Sequence, residues 1–276
     1  MTWLDAVLDA AALVAAAATA LALDVGSVRR GLVPPGFAQP WRRALATGLL
    51  ALIFYLAVFQ PLASVGRSDP ADLIGQPIPV LFVGHAVMLA AVAGWAALAF
   101  GGAESGRFGE RAGRALGLAT GRPWTDLGAG LAGGAVAWLG MAGTVLAVGG
   151  LLTALGGEEV VPRQAPELIA WMAGLPVGAR VALSLSAGVV EELFFRGLLQ
   201  PRLGVAFSTA VFLLAHGTYE QPFMLVGLAW VSLVLALLTV RRGSVLPAMV
   251  AHAFFDLVQL LVVIPWVLRR MEAGGG

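Results

Sequence analysis

Long apolar runs recur along almost the whole of this chain, beginning with "WLDAVLDAAALVAAAATALALD" at residues 3–24. Crossing a hydrocarbon core about 30 Å thick takes about 20 helical residues, because each adds about 1.5 Å. Runs of that kind occupy residues 3–24, 44–65, 79–101, 127–155, 180–201, 222–240 and 244–268. A shorter one, 204–218, has to be an eighth span if its neighbours are to alternate in direction. Lipid offers no hydrogen bonds, so spanning backbone must satisfy its own, and helices do this segment by segment. The expected fold is therefore all-α, a polytopic membrane protein of about eight transmembrane helices. A mean hydropathy of +0.88 and a charged fraction of only 12% exclude an ordinary soluble domain.

Between the runs, "GRSDPADLIGQPIP", "GGAESGRFGERAGRALGLATGRPWTD" and "GGEEVVPRQAP" collect the Pro, Gly and charge. No repeat or low-complexity segment marks a second domain. Residues 1–178, the N-terminal helices and loops, and residues 179–270, the C-terminal transmembrane core, are therefore expected to form one integral membrane domain. The segment "PELIAWMAGLPVG" at 166–178 is too short to span and is closed by Pro176, which suits an interfacial or re-entrant helix.

Charge sets the expected orientation. Asp5 and Asp9 stand where a cleavable secretory signal needs positive charge, and the positives follow the first run instead. That pattern predicts an uncleaved first span with its N-terminus outside. The inner loops then hold Arg29, Arg30, Arg42, Arg43, Arg107, Arg111, Arg114, Arg122, Arg202, Arg241 and Arg242, against Arg67, Arg163, Arg180, Arg269 and Arg270 outside. This is the positive-inside bias. Trp3, Trp41, Trp124 and Trp266 fall near span ends, as interfacial anchors do. All 17 basic residues are Arg, a bias that fits a GC-rich bacterial coding sequence and places the protein in the cytoplasmic membrane. The cysteine count of 0 excludes disulfides, thiolate metal sites and cysteine nucleophiles.

Few ionisable groups lie well inside the spans: His85, Glu191, Glu192, Arg196, His216, His252 and Asp256. Counted from the inner end of each helix, Glu191, Glu192, His216, His252 and Asp256 all fall roughly 13 to 20 Å deep, near the midplane. Three separate helices thus bring polar groups to one depth, and an intramembrane ionisable group is a functional candidate by default. Glu192 and Arg196 are four apart and form a mutually neutralising support pair. Glu191 points about 100° away, above Ala187 and Gly188, which are small enough for another helix or a substrate to approach. His252 and Asp256 are again four apart, so the carboxylate can fix the imidazole. His85 stands alone near the outer end of its span and is expected to be a structural, hydrogen-bonded residue.

"EELFFR" (191–196), "FLLAH" (212–216) and "GSVLPAMVAHAFFD" (243–256) resemble, in order and spacing, the EExxxR, FxxxH and HxxxN/D motifs of the CAAX-processing and bacteriocin-processing (CPBP) intramembrane proteases. That family includes the Ras-converting CAAX endopeptidase. The resemblance covers roughly residues 180–260 and implies an endopeptidase acting at or within the membrane. It also implies that Glu191 and His216 activate a water while His252, with the residue at 256, stabilises the oxyanion. The commoner residue at that last position is Asn, which can donate to an oxyanion; an ionised Asp cannot. Asp256 therefore either carries a proton and donates, or holds His252 as the donating imidazolium.

The expected partners are a membrane-embedded or membrane-anchored peptide and the bilayer, with no nucleic acid and no cofactor. Because Glu191, His216, His252 and Asp256 are also ligand types that zinc prefers, a zinc-dependent protease is the alternative. A zinc protease of the H-E-x-x-H kind is excluded because the motif is absent. An aspartyl type lacks a second well-placed Asp, and Ser184, Ser186 and Ser208 lie in no glycine-flanked serine motif. A non-catalytic scaffold or immunity protein of the same fold, or a proton-coupled transporter, would retain the same polar groups, but a transporter lacks its expected inverted repeat.

Overall fold

Every regular element that the computed structural model describes is helical, over residues 3–65, 74–101, 107–156, 167–217 and 224–274. The apolar runs become α1 (Trp3–Arg29), α2 (Pro40–Ala63), α3 (Ile78–Phe100) and, after the short α4 (Phe108–Ala115), α5 (Pro123–Ala154). A short α6 (Glu167–Gly174) precedes α7 (Val177–Leu203), which is followed by α8 (Val205–Ala215), α9 (Met224–Arg242) and α10 (Leu246–Met271). The outward sides of these helices carry Leu and Val, among them Val14, Leu139 and Leu146. Contiguous exposed apolar surface of this extent suits lipid as the surrounding solvent. Trp3, Trp41, Trp124 and Trp266 are exposed close to helix ends, where interfacial anchors belong.

The all-α, polytopic fold is as expected, and the count of about eight spans is not confirmed. Among the described residues six helices are long and apolar enough to cross a membrane, or seven if α6 and α7, bent by 114°, count as one broken span. That bend matches the interfacial or re-entrant segment expected at 166–178. The run expected to form the eighth span yields α8, whose 11 residues cover only about 16 Å. It is cut from α7 at Gly204, where φ is +89°, and gives way to a turn at His216.

Two packing centres position the site. In one, α5, α9 and α10 pack together through Ala137, Val231, Leu235, Ala248, Ala251 and Phe255. Small residues set the spacing: a Cβ on Gly134 would lie 2.8 Å from Ala251 O, and one on Gly188 of α7 would lie 2.8 Å from Met249 O of α10. In the other, α1, α2 and α3 pack against the buried second half of α7 through Leu50, Phe54, Trp95, Phe194 and Leu198. Gly117 ties the α4–α5 connection to α10: its φ of +71° suits glycine, and its carbonyl accepts the Val245 N–H. At one end of the bundle Asp126, buried near the start of α5, pairs with Arg242 of α9 at 2.6 Å.

Among the described residues three π-helical stretches interrupt the spans, at Tyr55–Phe59, Leu193–Leu199 and Gln259–Val263. The widened turn leaves a backbone carbonyl open to a partner outside the helix, and such bulges gather at functional sites. In α7, Phe195 O accepts the Ser208 hydroxyl of α8 at 2.7 Å. In α10, Leu260 O accepts the Arg180 guanidinium at 2.9 Å.

Candidate active site

The polar side chains meet where α7 passes α3, α8 and α10. Glu192 is fully buried, and its Oε1 accepts from Arg196 at 2.9 Å and from His252 Nδ1 at 2.8 Å. Burying a charge demands a partner and a hydrogen bond, and here one oxygen serves two donors. The Arg196 guanidinium also donates to Ser232 Oγ of α9 at 2.9 Å and lies over the Phe212 ring, 4.4 Å from its centroid. The expected Glu192–Arg196 pair is therefore present, extended to α9 and α10.

Glu191 faces away from that pair. Its Oε1 lies 3.5 Å from His85 Nε2, and its Oε2 lies 3.8 Å from His216 Nε2. Its side chain retains 15% exposure, against 0% for Glu192. His216 sits at the C-terminal end of α8, where its Nδ1 donates to Phe212 O at 2.8 Å, satisfying one of the carbonyls a helix end leaves open. A carbonyl only accepts, so Nδ1 carries the hydrogen and the neutral ring turns an Nε2 lone pair towards Glu191. The Phe212 ring, 4.4 Å from that of His216 and 6.2 Å from that of His252, packs between both histidines and Arg196.

Across the cluster, His252 Nε2 lies 3.6 Å from Asp256 Oδ2. This is an ion-pair distance rather than the hydrogen bond expected from the i, i+4 spacing. The stronger contact of His252 is with Glu192, on another helix. It follows from the approach of α10 to Gly188, which the helical spacing within "HAFFD" does not reveal. Since Glu192 can only accept, Nδ1 of His252 carries a hydrogen, and Nε2 becomes a second donor only in the imidazolium form.

His85, expected to be structural and apart, lies in the same cluster. Its Nδ1 is 2.6 Å from Ser186 Oγ and its Nε2 faces Glu191. One available signal was that the chain has only 3 His, all of them in apolar runs and all of them now found around the two adjacent glutamates. Ser186, five residues before Glu191, carried no signal of its own.

Among the described residues no group of three or more His, Asp or Glu side chains could hold a metal ion. His216 Nε2 faces Glu191 and His252 Nε2 faces Asp256.

No curated protein and no solved structure matches this chain. Residues 173–258, the stretch that holds Glu191, Glu192, Arg196, His216, His252 and Asp256, match the family described as Type II CAAX prenyl endopeptidase Rce1-like, the relationship that the three motifs imply.

Proposed function

We propose that the protein is an intramembrane endopeptidase that hydrolyses a peptide bond of a membrane-associated protein or peptide, with Glu191 as general base. The observation that carries this reading is the facing of Glu191 Oε2 and His216 Nε2 across 3.8 Å. Both are acceptors, and one water can donate a hydrogen to each, leaving its oxygen lone pair for a carbonyl carbon. Attack forms the C–O bond as the water proton passes to Glu191; the proton then goes to the departing amine as the C–N bond breaks. His252, its Nδ1 held by Glu192, and Asp256 beside its Nε2 meet the carbonyl oxygen as charge develops on it. The match to a CAAX-type protease family supports the same reaction class.

The test is a cleavage assay in membranes with two reporters, a farnesylated CAAX-type peptide and an unprenylated single-span peptide, for the wild type and Glu191→Gln. Trapping on the Glu191→Gln variant followed by mass spectrometry identifies the natural substrate. Turnover should vanish with Glu191; turnover that survives its loss overturns the assignment.

A further inference from the structure

The match to the protease family begins at residue 173, so His85 comes from a part of the chain outside it. Its ring nevertheless bridges Ser186 Oγ at 2.6 Å and Glu191 Oε1 at 3.5 Å. Ser184, two residues before Ser186, donates to Arg180 O in its own helix, as helical serines commonly do. Ser186 instead meets the imidazole of α3.

The donor and acceptor arithmetic allows one satisfied arrangement for the neutral ring. If Ser186 donates to Nδ1, then Nε2 carries the hydrogen and points it at the carboxylate. In the opposite tautomer two lone-pair acceptors, Nε2 and Oε1, face each other without a hydrogen between them. In the imidazolium form Nε2 again carries a hydrogen. Every acceptable state therefore presents an N–H to Glu191 Oε1.

Resting on the protease reading above, we propose that His85, fixed by Ser186, is a positioning residue: it holds Glu191 Oε1 so that Oε2 faces His216. His85 is not asked to touch substrate. A carboxylate free to rotate would share its two oxygens between the histidines, and the water would lose its fixed acceptor. Misplacement of a reacting group by about 1 Å can cost 10²-fold in rate, so the predicted loss on removing His85 is of that order in kcat. The N-terminal helices would then complete the site rather than merely surround it.

The test uses the full chain in nanodiscs and has a spectroscopic and a kinetic arm. With 3 His in the chain, 15N labelling of histidine gives few ring signals, and loss of a set in His85→Gln assigns His85. Glu191→Gln and Ser186→Ala should each shift the His85 signals; unchanged signals in Glu191→Gln overturn the contact without reference to activity. In the cleavage assay His85→Ala should lower kcat with little change in KM. His85→Gln, which keeps an N–H near the Nε2 position, should recover part of the loss, and Ser186→Ala should show a smaller loss. Full kcat in His85→Ala, or a His85→Gln no better than His85→Ala, overturns the proposal. Should His85→Ala fail to fold, Ser186→Ala decides, and unaltered kcat in that variant is the overturning result. An active Glu191→Gln instead overturns Glu191 as the general base while leaving the His85 contact visible in the spectra, and a wild type that cleaves neither reporter overturns the protease reading.

Discussion

Glu192 Oε1 lies 2.8 Å from His252 Nδ1 and 2.9 Å from Arg196, so a single carboxylate oxygen joins the arginine of its own helix to the histidine of another. The pairing changes what Glu192 is for. Spaced four residues before Arg196, it neutralises a buried charge; bonded to His252, it also fixes which nitrogen of that ring carries a hydrogen.

Glu192→Ala should accordingly lower both stability and activity. It leaves the Arg196 guanidinium buried without its counter-charge, a change that costs about 3–5 kcal/mol when one partner of a buried pair is removed. It also releases His252. Thermal unfolding in nanodiscs reads the first effect and turnover the second; a variant with wild-type thermal stability contradicts the support role.

Asp256→Asn separates the two descriptions of the oxyanion side. With His252 Nδ1 anchored to Glu192, position 256 faces Nε2 at 3.6 Å and is left to orient that nitrogen or to donate beside it. An Asn amide supplies a donor of the same size, so the variant should keep much of the wild-type kcat. Asp256→Ala should lose about 10²–10³-fold, the typical effect of removing an oxyanion donor. Abolition of turnover in Asp256→Asn would instead indicate that a carboxylate is required, as a metal ligand would be.

The reach and the limit of sequence reasoning can be traced to particular residues. Spans were legible because length and apolarity are properties of single segments. The length of the eighth was not, because Gly204 and the turn at His216 bound α8 to 11 residues, fewer than a span needs. Glu192–Arg196 was legible because both belong to one helix, four residues apart. His252–Glu192 was not, because a bond between helices depends on how each is rotated and how closely they approach, which here is set at Gly188. His85 is separated from Ser186 by 101 residues, and no periodicity connects the two.

Chelation should leave turnover unchanged. His216 is oriented by Phe212 O and His252 by Glu192, and their remaining nitrogens address different carboxylates. Phenanthroline added to the purified protein in nanodiscs is therefore expected to have little effect on reporter cleavage. Strong inhibition that added zinc reverses would replace the glutamate mechanism by the zinc alternative.

Gly188→Ala tests whether the close approach of α7 and α10 sets the site. A Cβ there would lie 2.8 Å from Met249 O and 2.8 Å from Ala253 N, both backbone atoms of the turn that carries His252. Neither can rotate aside, so α10 must shift bodily, at a cost of about 1–3 kcal/mol for overpacking of this kind. The same shift draws His252 away from Glu192, so turnover should fall together with the unfolding temperature. Gly143→Ala is the matched control. It adds the same methyl to α5, where nothing lies within 4 Å, and replacing an interior helical glycine by alanine gains roughly 0.5–1 kcal/mol. Unfolding temperatures and turnover of the two variants, measured side by side, should move in opposite directions for stability and only in Gly188→Ala for activity. Equal activity in both would mean that the spacing at Gly188 does not govern the position of His252.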